Sequence, residues 1–243
     1  MGRTNEKHVH EVFQSISTKY DKMNGVISLN MHKQWRRDIM RQMSLPVHAQ
    51  VLDVCCGTGD WTIAIANQLE GKGKVHGLDF SENMLEVGQK KVDDEKLTNV
   101  ELLHGDATEL PFADESFHVV TIGFGLRNVP DPKKALQEIL RVLKPGGQVL
   151  CLETSHPENV LFKPFYSVYF KQVMPRLGRW VAGSGKEYQW LYDSTATFPK
   201  KKELAEWFVD SGFVDVNYRS YAGGAAAGHW GFKRSVLEDA IYE

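Results

Sequence analysis

Features that mark membrane, secreted or nucleic-acid-binding proteins are scarce in this sequence of 243 residues. It contains no uninterrupted apolar run of the roughly 18 residues that a membrane-spanning helix needs. The N-terminal stretch MGRTNEKHVHEV has no apolar core, so we expect no secretory signal peptide. Lysine and arginine number 29 against 31 acidic residues, and the formal charge of −2 provides no overall basic field for nucleic acid.

Cysteine is also rare, and its spacing suits neither a disulfide framework nor a metal site. The three cysteines are the adjacent pair Cys55 and Cys56 and the distant Cys151. This pattern predicts reduced thiols in a cytoplasmic protein. His104 and His118 have no partner at metal-ligand spacing, so we expect histidines of the core or its rim and no metal.

Strand-like and helix-like segments alternate through the middle of the chain. Runs rich in Val, Leu and Ile predict strands at 50–55, 74–79, 100–104, 117–123 and 148–153, with helical patterns at about 60–70, 82–92 and 132–143. This alternation predicts an α/β fold with a mostly parallel sheet, because each right-handed crossover places a helix on a sheet face. Residues 144–147, Lys-Pro-Gly-Gly, predict a helix stop and a turn before the fifth strand.

The C-terminal part departs from this alternation. Residues 157–198 form a long aromatic segment interrupted by prolines, which predicts a helical insertion or lid. A helix is expected at about 200–211. Two strand-like runs follow at 213–221 and 225–234, and the glycines between them predict an antiparallel hairpin at the end of the sheet.

The N-terminal residues 1–45 predict a helical cap outside the sheet. Its two amphipathic segments lie around Val9–Ser17 and Met31–Met43. We expect cap, sheet and insertion to form a single domain over residues 1–243.

The most informative segment is VLDVCCGTGD at 51–60, where an apolar strand ends in an acid and a glycine loop. Gly57 and Gly59 let the backbone approach a ligand, and Asp79, at the end of the next strand, can accept both ribose hydroxyl protons of an adenosine. A dinucleotide loop would carry a third glycine, and Asp60 would repel its pyrophosphate. The same charge complements a sulfonium and an ammonium, so we expect S-adenosylmethionine rather than NAD.

Other polar residues should join this site, because the carboxyl ends of parallel strands meet at one edge of a sheet. Asp106 can accept from an adenine amino group, and the backbone N–H of Ala107 can donate to a ring nitrogen. The expected cofactor-binding residues are Asp53, Gly57, Thr58, Gly59, Asp79, Phe80, Asp106 and Ala107. For each acid the alternative is a helix N-cap or a solvated loop carboxylate, and an acid in a first helical turn is stabilising in any case.

The methyl acceptor should lie beside the segment Ile122–Val129, which follows the fourth strand. The Asn/Asp-Pro-Pro-Tyr motif of amino-methylating DNA enzymes is absent there, and so is a nucleophilic cysteine. Phe124 offers an apolar surface, and Arg127 offers a permanent cation that could stabilise a phenolate or quinolate. The alternative for Arg127 is a salt bridge to a nearby acid such as Asp131.

The series D-x-C-C-G-T-G-D…G-L-D-F-S…G-D-A…L-P-F…L-K-P-G-G resembles the class I methyltransferases, which implies a Rossmann-like fold of seven strands. Nearly end to end, the chain resembles the ubiquinone/menaquinone biosynthesis C-methyltransferases, and most of all their Gram-positive type. The resemblance rests on Tyr20-Asp21-Lys22-Met23-Asn24, on residues 124–129 (FGLRNV) and on Cys151-Leu152-Glu153, among others.

This resemblance implies cofactor contacts at Thr58, Asp79, Asp106 and Ala107. Some members place a serine contact where this chain has Gly123, so that contact must be made by the backbone or be absent. We expect Phe124 and Asn128 to contact the substrate.

Tyr20 and Asp21 fall between two predicted helices and resemble the family's cofactor-covering segment. We therefore expect Arg127, Asp21 and Tyr20 as the catalytic residues, with Tyr20 over the methyl donor and Asp21 orienting a substrate hydroxyl. The alternative is an ordinary helix–helix turn with Tyr20 in a core.

The function implied is C-methylation of a demethylmenaquinol, a polyprenyl naphthoquinol, to menaquinol. Alternatives are another small-molecule methyltransferase, acting on a phenol oxygen, a sterol or an acyl chain, and a non-catalytic scaffold that binds the cofactor. Residues 161–181, rich in aromatic and basic side chains, suit either a lid or peripheral contact with the inner face of a membrane. The sequence leaves a homodimer open.

Overall fold

Seven strands form one mixed sheet in the computed structural model, which describes residues 20–157 and 194–235. The strands are β1 (Gln50–Val54), β2 (Lys74–Asp79), β3 (Val100–His104), β4 (Phe117–Gly123), β5 (Leu143–Thr154), β6 (Phe213–Tyr221) and β7 (Ala226–Lys233). Their order across the sheet is β3-β2-β1-β4-β5-β7-β6. The first five pair in parallel, and β7 runs antiparallel to both β5 and β6, as predicted.

The strand order changes direction at β1, which pairs with β2 on one side and β4 on the other. Such a switch point opens a crevice at the carboxyl ends of the strands. The four strands around it end at Val54, Asp79, His104 and Gly123. The loops after these residues therefore share one edge of the sheet, where a ligand can bind.

Helices accompany the sheet, and six α-helices have both ends within the described residues. They are α1 (Tyr20–Ile27), α2 (Met31–Met40), α3 (Asp60–Gln68), α4 (Glu82–Asp94), α5 (Pro132–Val142) and α6 (Lys201–Asp210). Side-chain caps begin α4 and α5: Ser81 Oγ accepts from the Met84 N–H at 3.4 Å, and Asp131 accepts from the Lys134 N–H at 3.0 Å. The Ser81 cap follows directly after β2, which ends at Asp79, so it fixes how that loop leaves the sheet.

Alternate side chains of the strands supply two apolar cores, one on each face of the sheet, because successive residues of a strand point to opposite faces. Leu52 and Val54 of β1 belong to the core that includes α5 and α6. Val51 belongs to the other, which includes Ile39 of α2 and Ile65 of α3. The sheet is thereby held between helices on both faces.

The predicted strand bounds are confirmed within one or two residues, except at β5. This strand begins directly after α5, where Leu143 is fully buried and pairs with Phe117. The register then shifts before Val119 pairs with Gln148, so residues 144–147 form a bulge inside the strand. The prediction of a separate turn there was wrong, because burial of Leu143 begins the pairing early.

The N-terminal cap also differs from the expectation. Residues 20–24, predicted to lie between helices, are themselves the start of α1, and the turn to α2 comes later, at Leu29 and Asn30, which both have positive φ. The predicted helix Val9–Ser17 and residues 158–193 lie outside the described residues. Within residues 20–157 and 194–235 no helix combines the length and apolar character that crossing a bilayer requires.

Candidate active site

A cavity of about 750 Å³ opens at the carboxyl ends of the parallel strands. Its volume falls within the usual range for small-molecule sites. One wall, called the cofactor wall, is formed by the loops after β1, β2 and β3. The other, called the acceptor wall, is formed by the loop after β4 together with Tyr20 of α1. The predicted residues that line the cavity are Tyr20, Gly57, Asp79, Phe80, Asp106, Ala107, Phe124 and Asn128.

The glycine loop reaches the cavity in a left-handed backbone conformation that residues with a side chain rarely adopt. Cys55, Gly57 and Gly59 all have positive φ, at 56°, 55° and 76°. A Cβ on Gly57 would meet nothing nearer than the Tyr20 ring, at 3.8 Å, so the space above this glycine is open. The loop therefore presents bare backbone to a ligand, as predicted from its two glycines.

Asp79 is the buried acid on the wall formed by the loops after β1, β2 and β3. Its Oδ2 accepts from the Gly57 N–H at 2.8 Å and its Oδ1 from the Ser81 N–H at 2.9 Å. Burial raises the pKa of Asp79, and these backbone donors oppose the rise. A carboxylate held in this way against the glycine loop suits a pair of ribose hydroxyls.

Asp106 and Ala107 lie on the same wall, beyond β3. Asp106 Oδ1 accepts from the Thr108 N–H at 2.7 Å, so this acid also orders its own loop. The open cradle at Gly57, the buried carboxylate of Asp79 and the loop at 105–107 together fit an adenosine cofactor.

Three of the predicted cofactor residues lie behind the loop rather than on the cavity wall. Asp53 is buried and accepts from Thr62 and Thr121, both at 2.7 Å, and burial raises its pKa to about 6. Thr58 is buried and points away from the cavity, and Gly59 caps α3. These residues shape the loop, and their direct contact with cofactor stays a prediction.

Asp60, whose charge favoured a sulfonium cofactor, is paired within the protein. Its carboxylate lies 2.7 Å from Lys91 and 3.5 Å from Arg36. Burial would raise the pKa of Asp60, but these two cations outweigh it and lower the pKa. The argument from a free charge was therefore wrong, although the cofactor it favoured is supported below.

The acceptor wall is packed closely against its neighbours. A Cβ on Gly123 would lie 2.7 Å from Trp61 Cε3, so a serine at this position would displace the indole ring. A Cβ on Gly125 would overlap the Cys55 Cβ, which makes glycine necessary there as well. Phe124 adopts a positive φ of 55°, and its N–H donates to the Leu152 carbonyl at 2.7 Å.

Arg127 forms a buried ion pair with Glu153 at the end of β5. Nη1 lies 2.5 Å from Glu153 Oε1 and donates to the Phe124 carbonyl at 2.6 Å, while the two charged side chains are only 5% and 1% exposed. The partner is Glu153 rather than Asp131, which caps α5 instead. Arg127 lies behind the cavity wall and not on it.

Two buried polar atoms have no hydrogen-bond partner among the described residues in this part of the site: Arg127 Nε, behind the wall, and Asn128 Oδ1, in a residue that lines it. Buried polar atoms are almost always paired, so this donor and this acceptor are left unsatisfied beside the cavity. Asn128 itself lines the cavity, with Nδ2 donating to the Phe124 carbonyl at 3.4 Å.

The two predicted residues of α1 point in different directions. Tyr20 lines the cavity; burial raises its pKa, while a hydrogen bond with Asn24 and the charge of Arg127 oppose the rise. Asp21 turns away and lies 2.5 Å from Lys91. Its predicted role at the substrate hydroxyl stays a prediction.

Sequence reasoning missed Glu153, Lys91 and Cys55. Glu153 could have been found from its place at the end of β5, whereas Lys91 lies in a helix that carries no site motif. The three cysteines are free, and no group of three metal-ligating side chains occurs within the described ranges.

Comparison with known proteins gives a consistent result. The chain matches the ubiE/COQ5 methyltransferase family over residues 1–233. It is 54% identical over 231 residues to the demethylmenaquinone methyltransferase of Staphylococcus aureus strain JH9, and the match covers 95% of each chain.

Solved structures agree on the fold. A SAM-dependent methyltransferase from Aquifex aeolicus aligns with a TM-score of 0.60 at 21% identity, covering 81% of this chain and 88% of that one. Haemonchus contortus phosphoethanolamine N-methyltransferase 2, in complex with S-adenosyl-L-methionine, aligns with a TM-score of 0.62 at 19% identity, covering 83% and 53%. The predicted class I fold, S-adenosylmethionine cofactor and methyltransferase activity are confirmed, and the chain belongs to the ubiE/COQ5 methyltransferase family.

Proposed function

We propose that this enzyme methylates a ring carbon of a polyprenyl naphthoquinol, converting demethylmenaquinol to menaquinol. The relative at 54% identity, named a demethylmenaquinone methyltransferase, matches 95% of the chain and supports this substrate. The structural observation that carries the proposal is a cavity in which loops that suit an adenosine cofactor share one space with the apolar ring of Phe124 and the ring of Tyr20.

The cofactor wall would hold S-adenosylmethionine by its nucleoside end. Asp79 would accept from the ribose hydroxyls, and Asp106 and the Ala107 N–H would meet the adenine, with Phe80 beside them. Gly57 leaves room for the ligand, while Asp53, Thr58 and Gly59 support the loop from behind.

The acceptor wall would hold the quinol between Phe124 and Tyr20. A naphthoquinol ring is flat and apolar, and its hydroxyl groups are the only parts that need polar partners. A shift of these two buried side chains toward the cavity would let Asn128 Oδ1 accept from a hydroxyl and let Arg127 Nε–H donate to the oxygen once it has lost its proton.

Arg127 would act through its permanent charge. A permanent cation beside the hydroxyl would favour loss of its proton, and the resulting quinolate delocalises electron density onto the neighbouring ring carbon, which makes that carbon nucleophilic. Glu153 holds the guanidinium in place and, together with the Phe124 carbonyl, occupies Nη1. This leaves Nε as a buried donor with no partner among the described residues.

When bound, S-adenosylmethionine would supply the methyl group on a sulfonium, and the charges of sulfonium and quinolate would both be lost on transfer. The ring carbon that accepts the methyl group would then release its hydrogen as a proton to water, which restores the aromatic quinol. The protein's contribution is to hold the acceptor in line and to exclude water, since a charge-neutralising step is favoured where the dielectric is low. Tyr20 and Phe124 provide the apolar cover that such exclusion needs.

Incubation with methyl-labelled cofactor and a reduced, demethylated prenyl naphthoquinol tests this proposal by mass spectrometry. We expect a product heavier by one labelled methyl group that survives ether cleavage. A methyl ether would instead indicate a phenol O-methyltransferase, and cofactor binding without transfer would indicate a scaffold.

A prenylated substrate also bears on where the enzyme works. We propose that residues 161–181 bring it to the inner face of the cell membrane, since their aromatic and basic side chains suit the headgroup region. A cytoplasmic location, a single domain and a homodimer stay predictions.

A further inference from the structure

Lys91 of α4 connects three separate segments around the glycine loop. Its Nζ lies 2.5 Å from Asp21 Oδ2 and 2.7 Å from Asp60 Oδ1, and it donates to Thr58 Oγ1 at 3.1 Å. An ammonium has three N–H donors. Each of them therefore meets an acceptor from a different segment: α1, the first turn of α3 and the loop itself.

The contacts around Lys91 also reinforce one another. The Thr58 hydroxyl donates to Asp21 Oδ1 at 2.6 Å, so α1 is bonded to the glycine loop directly as well as through Lys91. Arg36 of α2 approaches Asp60 at 3.5 Å from the other side. Two cations thus face two carboxylates, and the cluster is electrically balanced.

Among the residues that the structure describes, α1 makes few apolar contacts. Its buried residues are Met23 and Gly25, and neither apolar core of the described chain includes a residue of α1. Segments with few apolar contacts open with low free energy. The polar cluster at Asp21 is therefore a main attachment of this helix.

That attachment lies one residue from the cavity. Successive helical side chains point about 100° apart, and here Asp21 faces Lys91 while Tyr20 faces the cavity. The Tyr20 ring lies over Gly57, where a Cβ would be 3.8 Å from Cε1. Holding Asp21 thus holds the ring over the cofactor end of the cavity.

We propose that Lys91 is a positioning residue that keeps α1 closed over the cofactor and so sets how fast the cofactor leaves. This inference depends on the cofactor and not on which acceptor is methylated. It also gives Asp21 a role in holding α1 in its closed position.

The size of the effect follows from the population of the closed state. If loss of Lys91 lowers that population from nearly all molecules to about one tenth, the apparent Kd of the cofactor rises about tenfold. The increase in Kd should come mainly from a faster dissociation rate, because α1 in its closed position slows the escape of bound cofactor.

The test compares Lys91→Met with Lys90→Met, a matched change at an exposed neighbour on the same helix. Calorimetry gives the Kd of S-adenosylhomocysteine, and stopped-flow displacement gives its dissociation rate. We expect both to rise about tenfold in Lys91→Met and to stay unchanged in Lys90→Met, with Lys91→Arg recovering much of the loss. Added salt should speed dissociation from the wild type more than from Lys91→Met.

Asp21→Asn provides a second variant in case Lys91→Met fails to fold, and it should change the dissociation rate in the same direction. In the double variant the two effects should sum to less than their total, since either single variant already loses the contact between Lys91 and Asp21. A lower Tm with unchanged Kd and dissociation rate in both variants would overturn the proposal, because it would leave Lys91 with a purely structural role.

Discussion

The buried ion pair between Arg127 and Glu153 allows a quantitative prediction. Glu153 accepts from Arg127 through both the backbone N–H, at 3.2 Å, and Nη1, and from the Thr154 N–H at 2.7 Å. Glu153→Gln preserves the size of the side chain and one acceptor oxygen but removes the charge. The guanidinium would then be buried without its counter-charge.

The expected loss is large because neither side chain reaches water. Removing one partner of a buried pair costs about 3–5 kcal/mol, and a glutamine that still accepts one hydrogen bond should fall near the lower value, about 3 kcal/mol. For a chain of this length that corresponds to a fall in Tm of roughly 6–12 °C. Replacing both residues, as Arg127→Met with Glu153→Leu, should recover much of the stability, since no unpaired charge then remains.

Urea unfolding and calorimetry measure these differences, with Glu101→Gln as the matched control. Glu101 pairs with Lys74 at 2.6 Å, but the two side chains are 45% and 47% exposed, so its loss should cost less than about 1 kcal/mol. If Glu153→Gln is no more destabilising than Glu101→Gln, the account of a buried, mutually dependent pair is refuted.

Three further predictions concern the site and the core. Arg127→Ala should lower kcat by at least about a hundredfold with little change in the Kd of S-adenosylhomocysteine; equal losses of both would make Arg127 structural. Asp79→Ala should abolish measurable cofactor binding in calorimetry, and tight binding by this variant would remove Asp79 from the cofactor site. Burial lowers the pKa of His229 from 6.5 to about 4, so the unfolded chain takes up a proton first and stability falls as the pH drops through this window. The loss between pH 7 and 4.5 should be about 2–3 kcal/mol greater in the wild type than in His229→Gln, and equal losses would contradict the assignment.

The sheet and the cofactor wall could be predicted because their signals are local. The strand runs and the glycine loop are continuous segments, and Asp79 follows from the end of its strand. Parallel pairing then brings these ends together whatever the rest of the chain does. The positions of Asp79, Asp106 and Phe124 on the cavity wall follow from that rule alone.

The charge pairs could not be predicted, because each joins residues that are distant in sequence. The sequence offers Asp131, four residues away, as the alternative partner of Arg127, but Asp131 is used as a helix cap and Glu153 arrives from the neighbouring strand. Nothing local in the sequence indicates which cation pairs with Asp60, because Lys91 lies 31 residues away. Pairings of this kind depend on tertiary packing.

The central claim is that the methyl group is bonded to a ring carbon of the quinol, and the position of the label tests it most directly. Carbon-13 methyl cofactor and a reduced demethylated prenyl naphthoquinol should give a product whose labelled methyl shows the chemical shift of an aromatic C-methyl group and couples to ring carbons. A labelled methoxy signal, or no labelled product despite cofactor binding, would contradict the account.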